Sequence, residues 1–187
     1  NEEKNIHKPL KDLEEHGYED VIVVDDCSSD ATSERARELG AIVLRHPINR
    51  GQGAALQTGM DYALLQDADI VVHFDADGQH LASEIKKLTG PILAGKYDVV
   101  FGSRFLKHGD ADQMPLAKRL TLKLGTWVNF FMYGFKMTDA HNGFRALNRK
   151  ALESIRITED RMEHASQIPE LVHRAGLRYK EVPVRIL

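Results

Sequence analysis

Residues 70–80 read Ile-Val-Val-His-Phe-Asp-Ala-Asp-Gly-Gln-His, an apolar run that ends in two aspartates one residue apart. The run predicts a buried strand, and because side chains alternate along a strand, Asp75 and Asp77 would point to the same side. Two such carboxylates repel each other unless a cation lies between them, and Mg²⁺ or Mn²⁺ with diphosphate oxygens suits them. A turn at Gly78 would bring the oxygen of Gln79 back to the same point. The alternative is a strand end followed by an ordinary polar turn.

Composition limits the classes of protein that this chain can be. With 187 residues, 42% hydrophobic and 28% charged, residues 1–187 predict a single domain with a sizeable core. A net charge of −3 argues against a broad basic surface for nucleic acid. The lone Cys27 cannot form an internal disulfide, which favours a reducing compartment. No secretory signal is recognisable, and the longest uncharged stretch, residues 124–135, is shorter than the roughly 20 residues of a membrane span.

Further strands are predicted on both sides of residues 70–80. Short apolar runs at 21–24, 41–44 and 98–101 alternate with segments of helical periodicity, which predicts βα units and a mostly parallel sheet. Within the helical segment 83–94, the Gly90-Pro91 pair predicts a kink or a break.

Polar residues follow three of these strands. Asp25-Asp26 follows the first, Asp75 and Asp77 follow the third, and Arg104 follows the fourth. Ligands of α/β sheets gather beyond the carboxyl ends of the strands, so we expect these side chains at one edge.

A glycine-containing loop follows the second strand. Asn49, Gly51 and Gly53 form an Asn-x-Gly-x-Gly pattern that resembles a phosphate-cradling loop leading into a helix. A tight loop that needs glycine for backbone reasons alone is the alternative.

The ordered set of motifs along the chain resembles glycosyltransferase family 2, within it the branch of dolichyl-phosphate mannosyltransferases and related polyprenyl-phosphate sugar transferases. Each motif alone is weak, but together they cover essentially the whole length in the family's order. The motifs are Asn1-Glu2-Glu3, Val24-Asp25-Asp26 with Ser28-Ser29-Asp30 and Thr32, Asn49-x-Gly51-x-Gly53-x-Ala55, Phe74-Asp75-Ala76-Asp77-Gly78-Gln79, Gly102-Ser103-Arg104, Thr138-Asp139 with Gly143-Phe144-Arg145, and Glu181-Val182-Pro183.

The resemblance implies an inverting, metal-dependent hexosyltransferase with a GT-A-like α/β domain, a mostly parallel sheet flanked by helices. It would move a sugar from GDP-mannose or a UDP-hexose to a polyprenyl or dolichyl phosphate with Mg²⁺ or Mn²⁺. The family pattern further implies a cytoplasmic protein at the cytoplasmic face of a membrane, with no nucleic-acid partner. The family's first strand and its C-terminal extension are missing from the chain, so we expect 1–187 to be a fragment of the catalytic domain whose strand at 21–24 has lost a neighbour.

The resemblance also assigns roles to individual residues. The donor's base or ribose would be held by Glu2, Asp25 and Asp26, and its phosphates by the loop of Asn49, Gly51 and Gly53 together with Asp75. The metal would be held by Asp75, Asp77 and Gln79. The acceptor phosphate would be met by Arg104, Arg119 and Arg145. Asp77, Arg104 and Asp139 would carry the catalysis.

Several alternatives remain open from the residues. Asp139 would be a general base for a hydroxyl acceptor, as in polysaccharide synthesis, whereas with a phosphate acceptor it would orient Arg104 or Arg145. The same frame would also suit a catalytically silent nucleotide-binding module. The basic and aromatic segment 115–137 fits either a helix at a membrane surface or an ordinary core helix.

The histidines carry less information. His73, His80 and His141 lack short metal-ligand spacing, which disfavours zinc, and His164 has no assigned role.

Overall fold

The computed structural model describes residues 1–106, 137–139 and 142–187. Arg119, His141 and all of the segment 115–137 except Met137 lie outside the described residues. Up to Ser103, strands and helices alternate along the chain, as the sequence predicts. In chain order the elements are α1 (His7–Glu15), β1 (Ile22–Asp25), α2 (Thr32–Glu38), β2 (Ile42–Arg45), α3 (Gln52–Leu65), β3 (Ile70–His73), a 3₁₀ turn (Ala82–Glu84), α4 (Ile85–Leu93), β4 (Val99–Ser103), β5 (Arg145–Asn148), α5 (Arg149–Ser154), α6 (His164–Arg174) and β6 (Tyr179–Pro183).

The strands form a parallel pair, β1 with β2, and a four-stranded sheet in the order β3-β5-β4-β6. In the larger sheet β3, β4 and β6 run in one direction, and β5 runs against both of its neighbours. The prediction of an α/β fold with a mostly parallel sheet is confirmed, with β5 as the antiparallel exception. Within the described residues, β1 pairs only with β2 and β3 only with β5, so β1 has the unpaired edge that the sequence predicts.

Helices cover both faces of the larger sheet because side chains alternate along each strand. On one face Val99 and Phe101 of β4 pack with residues of α3, α5 and α6. On the other face Val100 packs with residues of α1 and α4. The carboxyl ends of β3 and β4 consequently open at one edge of a sheet that is buried on both sides.

The predicted break at Gly90-Pro91 is wrong. Helix α4 continues to Leu93 with Pro91 inside it. Pro91 has no N–H to donate to the carbonyl four residues earlier, but the buried side chains of Ile85, Leu88 and Ile92 hold the helix on the sheet in spite of that lost hydrogen bond. Among the residues that the structure describes, no helix has the length and apolar character needed to cross a membrane.

The start of β4 is fixed by Asp98, which is 1% exposed. Its carboxylate accepts hydrogen bonds from Nε and Nη2 of Arg178, at 3.1 and 2.9 Å, and from Nδ2 of Asn148 at 3.2 Å. Arg178 precedes β6 and Asn148 ends β5, so one carboxylate ties three strands together. The hydrogen bonds from Arg178 hold the pKa of Asp98 well below its ordinary value.

We expect Asp98→Asn to lower the free energy of unfolding by about 2 kcal/mol at neutral pH, because it removes charge-assisted hydrogen bonds at a buried site. Since the folded-state pKa lies below the unfolded one, this contribution is complete above about pH 4 and is lost as the pH falls through the folded-state pKa. Urea unfolding between about pH 7 and pH 2 measures it, with exposed Asp69→Asn as the control. A deficit that does not shrink below about pH 4 would contradict the assignment.

Candidate active site

Asp25, the last residue of β1, serves the fold. It is 3% exposed, and its carboxylate accepts hydrogen bonds from the Ser28 backbone N–H at 2.8 Å and from the Ser33 hydroxyl. Burial opposes the charged form, but the hydrogen bonds from Ser28 and Ser33 outweigh it and lower the pKa of Asp25. Both oxygens are therefore engaged in fixing the turn between β1 and α2.

Asp26 holds the glycine-containing loop. Its carboxylate accepts hydrogen bonds from the backbone N–H groups of Arg50 at 2.9 Å and Gly51 at 2.5 Å, and lies 2.7 Å from Nδ1 of His46. Asn49 adds a hydrogen bond from Nδ2 to the Asp26 carbonyl at 3.1 Å. Despite the opposing effect of burial, these donors lower the pKa of Asp26. The carboxylate thus ties the end of β1 to the loop that begins α3.

The glycines of this loop allow a close approach to the segment that leads into α6. Gly51 has a φ of +111°, and a Cβ on Gly53 would lie 1.9 Å from the Glu159 carbonyl oxygen. The Ala54 N–H donates to the Asp160 carbonyl at 3.2 Å, and Nη2 of Arg50 lies 3.0 Å from Oδ1 of Asp160. The loop is therefore fixed from both sides.

Asp75 lies just beyond β3 and next to this loop. Oδ1 accepts a hydrogen bond from Nε2 of Gln52 at 3.1 Å, and Oδ2 lies 3.5 Å from Nε2 of His80. The Asp75 N–H donates to Nδ1 of His80 at 2.9 Å, while the His80 ring stacks on Phe144 with centroids 4.5 Å apart. A Cβ on Gly143 would lie 2.6 Å from Oδ2, so any larger residue there would require this carboxylate to shift.

Asp77 and Gln79 are exposed, in contrast to the aspartates at the other strand ends. Oδ1 of Asp77 accepts the Gln79 N–H at 2.9 Å, which closes the turn at Gly78. Within the described ranges, no group of three or more His, Cys, Asp or Glu side chains could hold a metal ion. The donors available here are the carboxylates of Asp75 and Asp77 and the side-chain oxygen of Gln79, which are the hard oxygen ligands that Mg²⁺ and Mn²⁺ prefer.

A second group of charges follows β4. Nε and Nη2 of Arg104 each donate to the Asp139 carboxylate at 2.8 Å, in a two-point contact that raises the pKa of Arg104. Asp139 is 4% exposed, whereas the Arg104 side chain is 46% exposed. The carboxylate of Glu181 in β6 accepts the N–H groups of Thr138 and Asp139 at 2.9 and 3.1 Å. The half-exposed guanidinium of Arg104 is therefore held in place by the buried carboxylate of Asp139.

Residues 142–144 lie between the two groups. Gly143 lies against Asp75, while Nδ2 of Asn142 donates to the Gly102 carbonyl at 2.9 Å and the Gly102 N–H donates to the Phe144 carbonyl at 2.8 Å. The glycine-containing loop and residues 142–144 thus connect the ends of β1, β3 and β4. The sequence predicts the polar side chains that follow these strands at one such edge.

Arg145 does not reach this surface. The sequence predicts it at the acceptor phosphate, but its side chain is among the largest fully buried ones, 1% exposed. Nε and Nη2 donate to the carbonyls of Gly143 and Asn142 at 3.2 and 3.1 Å, and Nη1 has no hydrogen-bond partner among the described residues. Burial lowers the pKa of Arg145 to about 10 and that of neighbouring His73 well below its ordinary value. The Arg145 side chain is therefore enclosed in the core, and the predicted contact with an acceptor phosphate is wrong.

Glu2 lies near the turn after β1. Its N–H donates to Oγ1 of Thr32 at 2.8 Å, and its carboxylate accepts Nδ2 of Asn5 at 3.0 Å.

Sequence reasoning did not assign roles to Gln52, His80 or Glu181, although all three lie within or next to the motifs. Their contacts connect distant parts of the chain, so the only signal available was their nearness to those motifs.

The comparisons with known proteins agree on a family. The model of "Glycosyl transferase family 2" matches residues 1–156. An uncharacterized protein of Methanocaldococcus jannaschii is 41% identical, covering 100% of this chain and 78% of that protein. The UDP-N-acetylglucosamine–dolichyl-phosphate N-acetylglucosaminyltransferase of Methanococcus voltae is 32% identical, over 100% of this chain and 82% of that protein. The polyprenol monophosphomannose synthase of Mycolicibacterium smegmatis is 32% identical, over 88% and 65% respectively.

Solved structures support the fold. A glucosyl-3-phosphoglycerate synthase from Mycobacterium tuberculosis, crystallised with phosphoglyceric acid, aligns with a TM-score of 0.70 at 24% identity, covering 98% of this chain and 66% of that one. The family model matches most of the chain, and two relatives above 30% identity match it along its whole length. The chain therefore belongs to glycosyl transferase family 2.

Proposed function

We propose that this glycosyltransferase moves a sugar from a nucleoside diphosphate donor, GDP-mannose or a UDP-hexose, to a polyprenyl or dolichyl phosphate, with inversion at the sugar. The observation that carries the proposal is that residues 142–144 contact both the Asp75 carboxylate beyond β3 and the end of β4, which leads to the half-exposed guanidinium of Arg104. The Methanococcus voltae and Mycolicibacterium smegmatis relatives are named for a dolichyl phosphate and a polyprenol monophosphomannose. These names support a lipid phosphate as the acceptor.

On the donor side, the glycine loop and the acids beyond β3 would receive the diphosphate. Asp75, Asp77 and Gln79 would hold Mg²⁺ or Mn²⁺, with diphosphate oxygens completing the coordination. The bound ion would supply stabilisation for the charge that the nucleoside diphosphate gains as it leaves. Asp25 and Asp26 would act on the base or ribose mainly indirectly, because their carboxylates already accept hydrogen bonds: Asp25 fixes the turn between β1 and α2, and Asp26 fixes the glycine-containing loop.

On the acceptor side, Arg104 would hold the lipid phosphate in line with the sugar. An oxygen of the phosphate forms the new bond to the anomeric carbon as the bond to the diphosphate breaks, and the leaving group takes the electron pair. Since a phosphate monoester is already ionised at neutral pH, it needs positioning and charge compensation more than a base. Arg119 would assist, and the membrane surface would present the lipid.

The contact between Asp139 and Arg104 favours a phosphate acceptor over a hydroxyl. Both carboxylate oxygens of Asp139 accept hydrogen bonds from the guanidinium, so neither is free to accept a hydrogen bond from a hydroxyl acceptor. In this arrangement Asp139 orients Arg104. A hydroxyl acceptor, as in polysaccharide synthesis, would require Asp139 to be free as a base.

The donor side is tested by Asp77→Asn, which removes one ligand charge without changing shape. We expect the parent protein to be stabilised in a thermal shift assay only when UDP or GDP and Mn²⁺ are both present, and the variant to lose that stabilisation while keeping its own melting temperature. A silent module would show no such joint effect, and retained Mn²⁺-dependent stabilisation in the variant would place the metal elsewhere.

The loop is tested by Gly53→Ala. Its methyl group would collide with the Glu159 carbonyl, so we expect donor affinity to fall about tenfold or more as the loop moves away from Asp75. Gly59→Ala is the matched control in the same helix, because its methyl would come no closer than 3.4 Å to Val24. Calorimetric titration with UDP and Mn²⁺ compares the two, and equal affinities would exclude a role for the loop.

The acceptor side is tested by Arg104→Ala, Arg104→Lys and Asp139→Asn, with transfer to a short polyprenyl phosphate as the measurement. We expect Arg104→Ala to leave donor binding unchanged and to lower transfer about 100-fold or more, and lysine to restore only part, because it lacks the planar fork. Near-normal transfer in Arg104→Ala with activity lost in Asp139→Asn would instead indicate a hydroxyl-type mechanism.

A further inference from the structure

Glu181 lies in the middle of β6. Within the described residues, all the hydrogen bonds that its carboxylate accepts come from one segment, residues 138–139. Its oxygens accept the Thr138 N–H at 2.9 Å, the Thr138 hydroxyl at 2.9 Å and the Asp139 N–H at 3.1 Å. Within the described residues it forms no ion pair with a lysine or arginine. A half-buried carboxylate that accepts two consecutive backbone N–H groups determines where that backbone lies.

The segment that Glu181 holds is the one that carries Asp139. Asp139 accepts the Arg104 N–H at 3.0 Å in addition to the two guanidinium hydrogen bonds. A second tie, 2.7 Å between the hydroxyls of Ser103 and Thr138, joins the same segment to the end of β4. The long Arg104 side chain is thus fixed through a chain of contacts that begins on β6.

We propose that Glu181 is a positioning residue that sets the orientation of the Arg104 guanidinium through Asp139. The inference extends the proposed function, since a correctly aimed Arg104 is what the acceptor phosphate would require. Among the residues that the structure describes, none of the hydrogen bonds around Asp26 or Asp75 involves Glu181, so we expect donor binding to be retained without it. Removing it would therefore affect the acceptor side alone.

The test compares Glu181→Gln with Lys180→Gln. Glutamine keeps the size of Glu181 but removes its charge, and an NH₂ group replaces Oε2, which accepts the Thr138 N–H. Two donors would then face each other at Thr138, so the segment that carries Asp139 would shift. Lys180 is the neighbouring residue on β6, and within the described part of the chain its side-chain nitrogen lies over the Tyr97 ring, 5.8 Å from the centroid, and not at the Thr138 segment. Thr138→Val, which removes one donor to Glu181, is a milder variant for use if Glu181→Gln does not fold.

The direct measurement is the exchange with water of the Arg104 Nε–H, followed by nitrogen-edited NMR. We expect faster exchange and a shifted signal in Glu181→Gln, no change in Lys180→Gln, and an unchanged Arg149 Nε–H, which donates to Glu153 elsewhere, in both. An unchanged Arg104 signal in a folded Glu181→Gln protein would overturn the inference.

Kinetics give the functional consequence. We expect Glu181→Gln to lower kcat/KM for a short polyprenyl phosphate about tenfold or more, while the affinity for UDP with Mn²⁺ stays within about twofold. Combined with Arg104→Ala it should cause no further loss, because both act through one guanidinium. Additive losses in the double variant would contradict the inference. If the Arg104 NMR signal changes in Glu181→Gln but Arg104→Ala transfers at the full rate, the positioning role of Glu181 is upheld and the proposed function is overturned.

Discussion

The site depends on one strand, β5, that runs against its neighbours. Because β5 is antiparallel to both β3 and β4, the residues that precede it meet the carboxyl ends of those strands. Gly143 then lies beneath Asp75, and Asn142 bonds to the end of β4. If β5 were parallel to its neighbours, the residues that precede it would lie at the opposite edge of the sheet. Residues 142–144 would then not contact both Asp75 and the end of β4.

The sequence predicts much of this arrangement, and its failures have a physical pattern. Apolar runs locate β1 to β4, and the acids that follow them mark the functional edge, because both signals are local. The direction of β5 and the burial of Arg145 are not local properties. In register, Arg145 faces His73 on β3 and Phe101 on β4, and only the assembled sheet shows that its side chain points into the core. Likewise, Glu181 finds its partner 43 residues away at Thr138.

Burying Arg145 opposes stability, and the surroundings show what compensates for it. An enclosed guanidinium costs several kcal/mol of lost hydration, and two backbone carbonyls and the Phe101 ring, 6.0 Å away, return part of that cost. The nearby Asp75 carboxylate favours the charged form.

The carboxylates of the site consequently divide into two kinds. Asp25, Asp26 and Asp139 have both oxygens committed to donors of the protein, and such carboxylates hold backbone and side chains in fixed positions. Asp77 is exposed, and within the described residues its carboxylate accepts a hydrogen bond from the Gln79 N–H alone. Fixed groups can aim a ligand but cannot coordinate it without losing their own partners. The negative charge that is able to meet a cation is therefore concentrated at Asp77. Under the proposed function, a cation held there would face the donor diphosphate, whereas the positive charge of Arg104 would face the anionic acceptor.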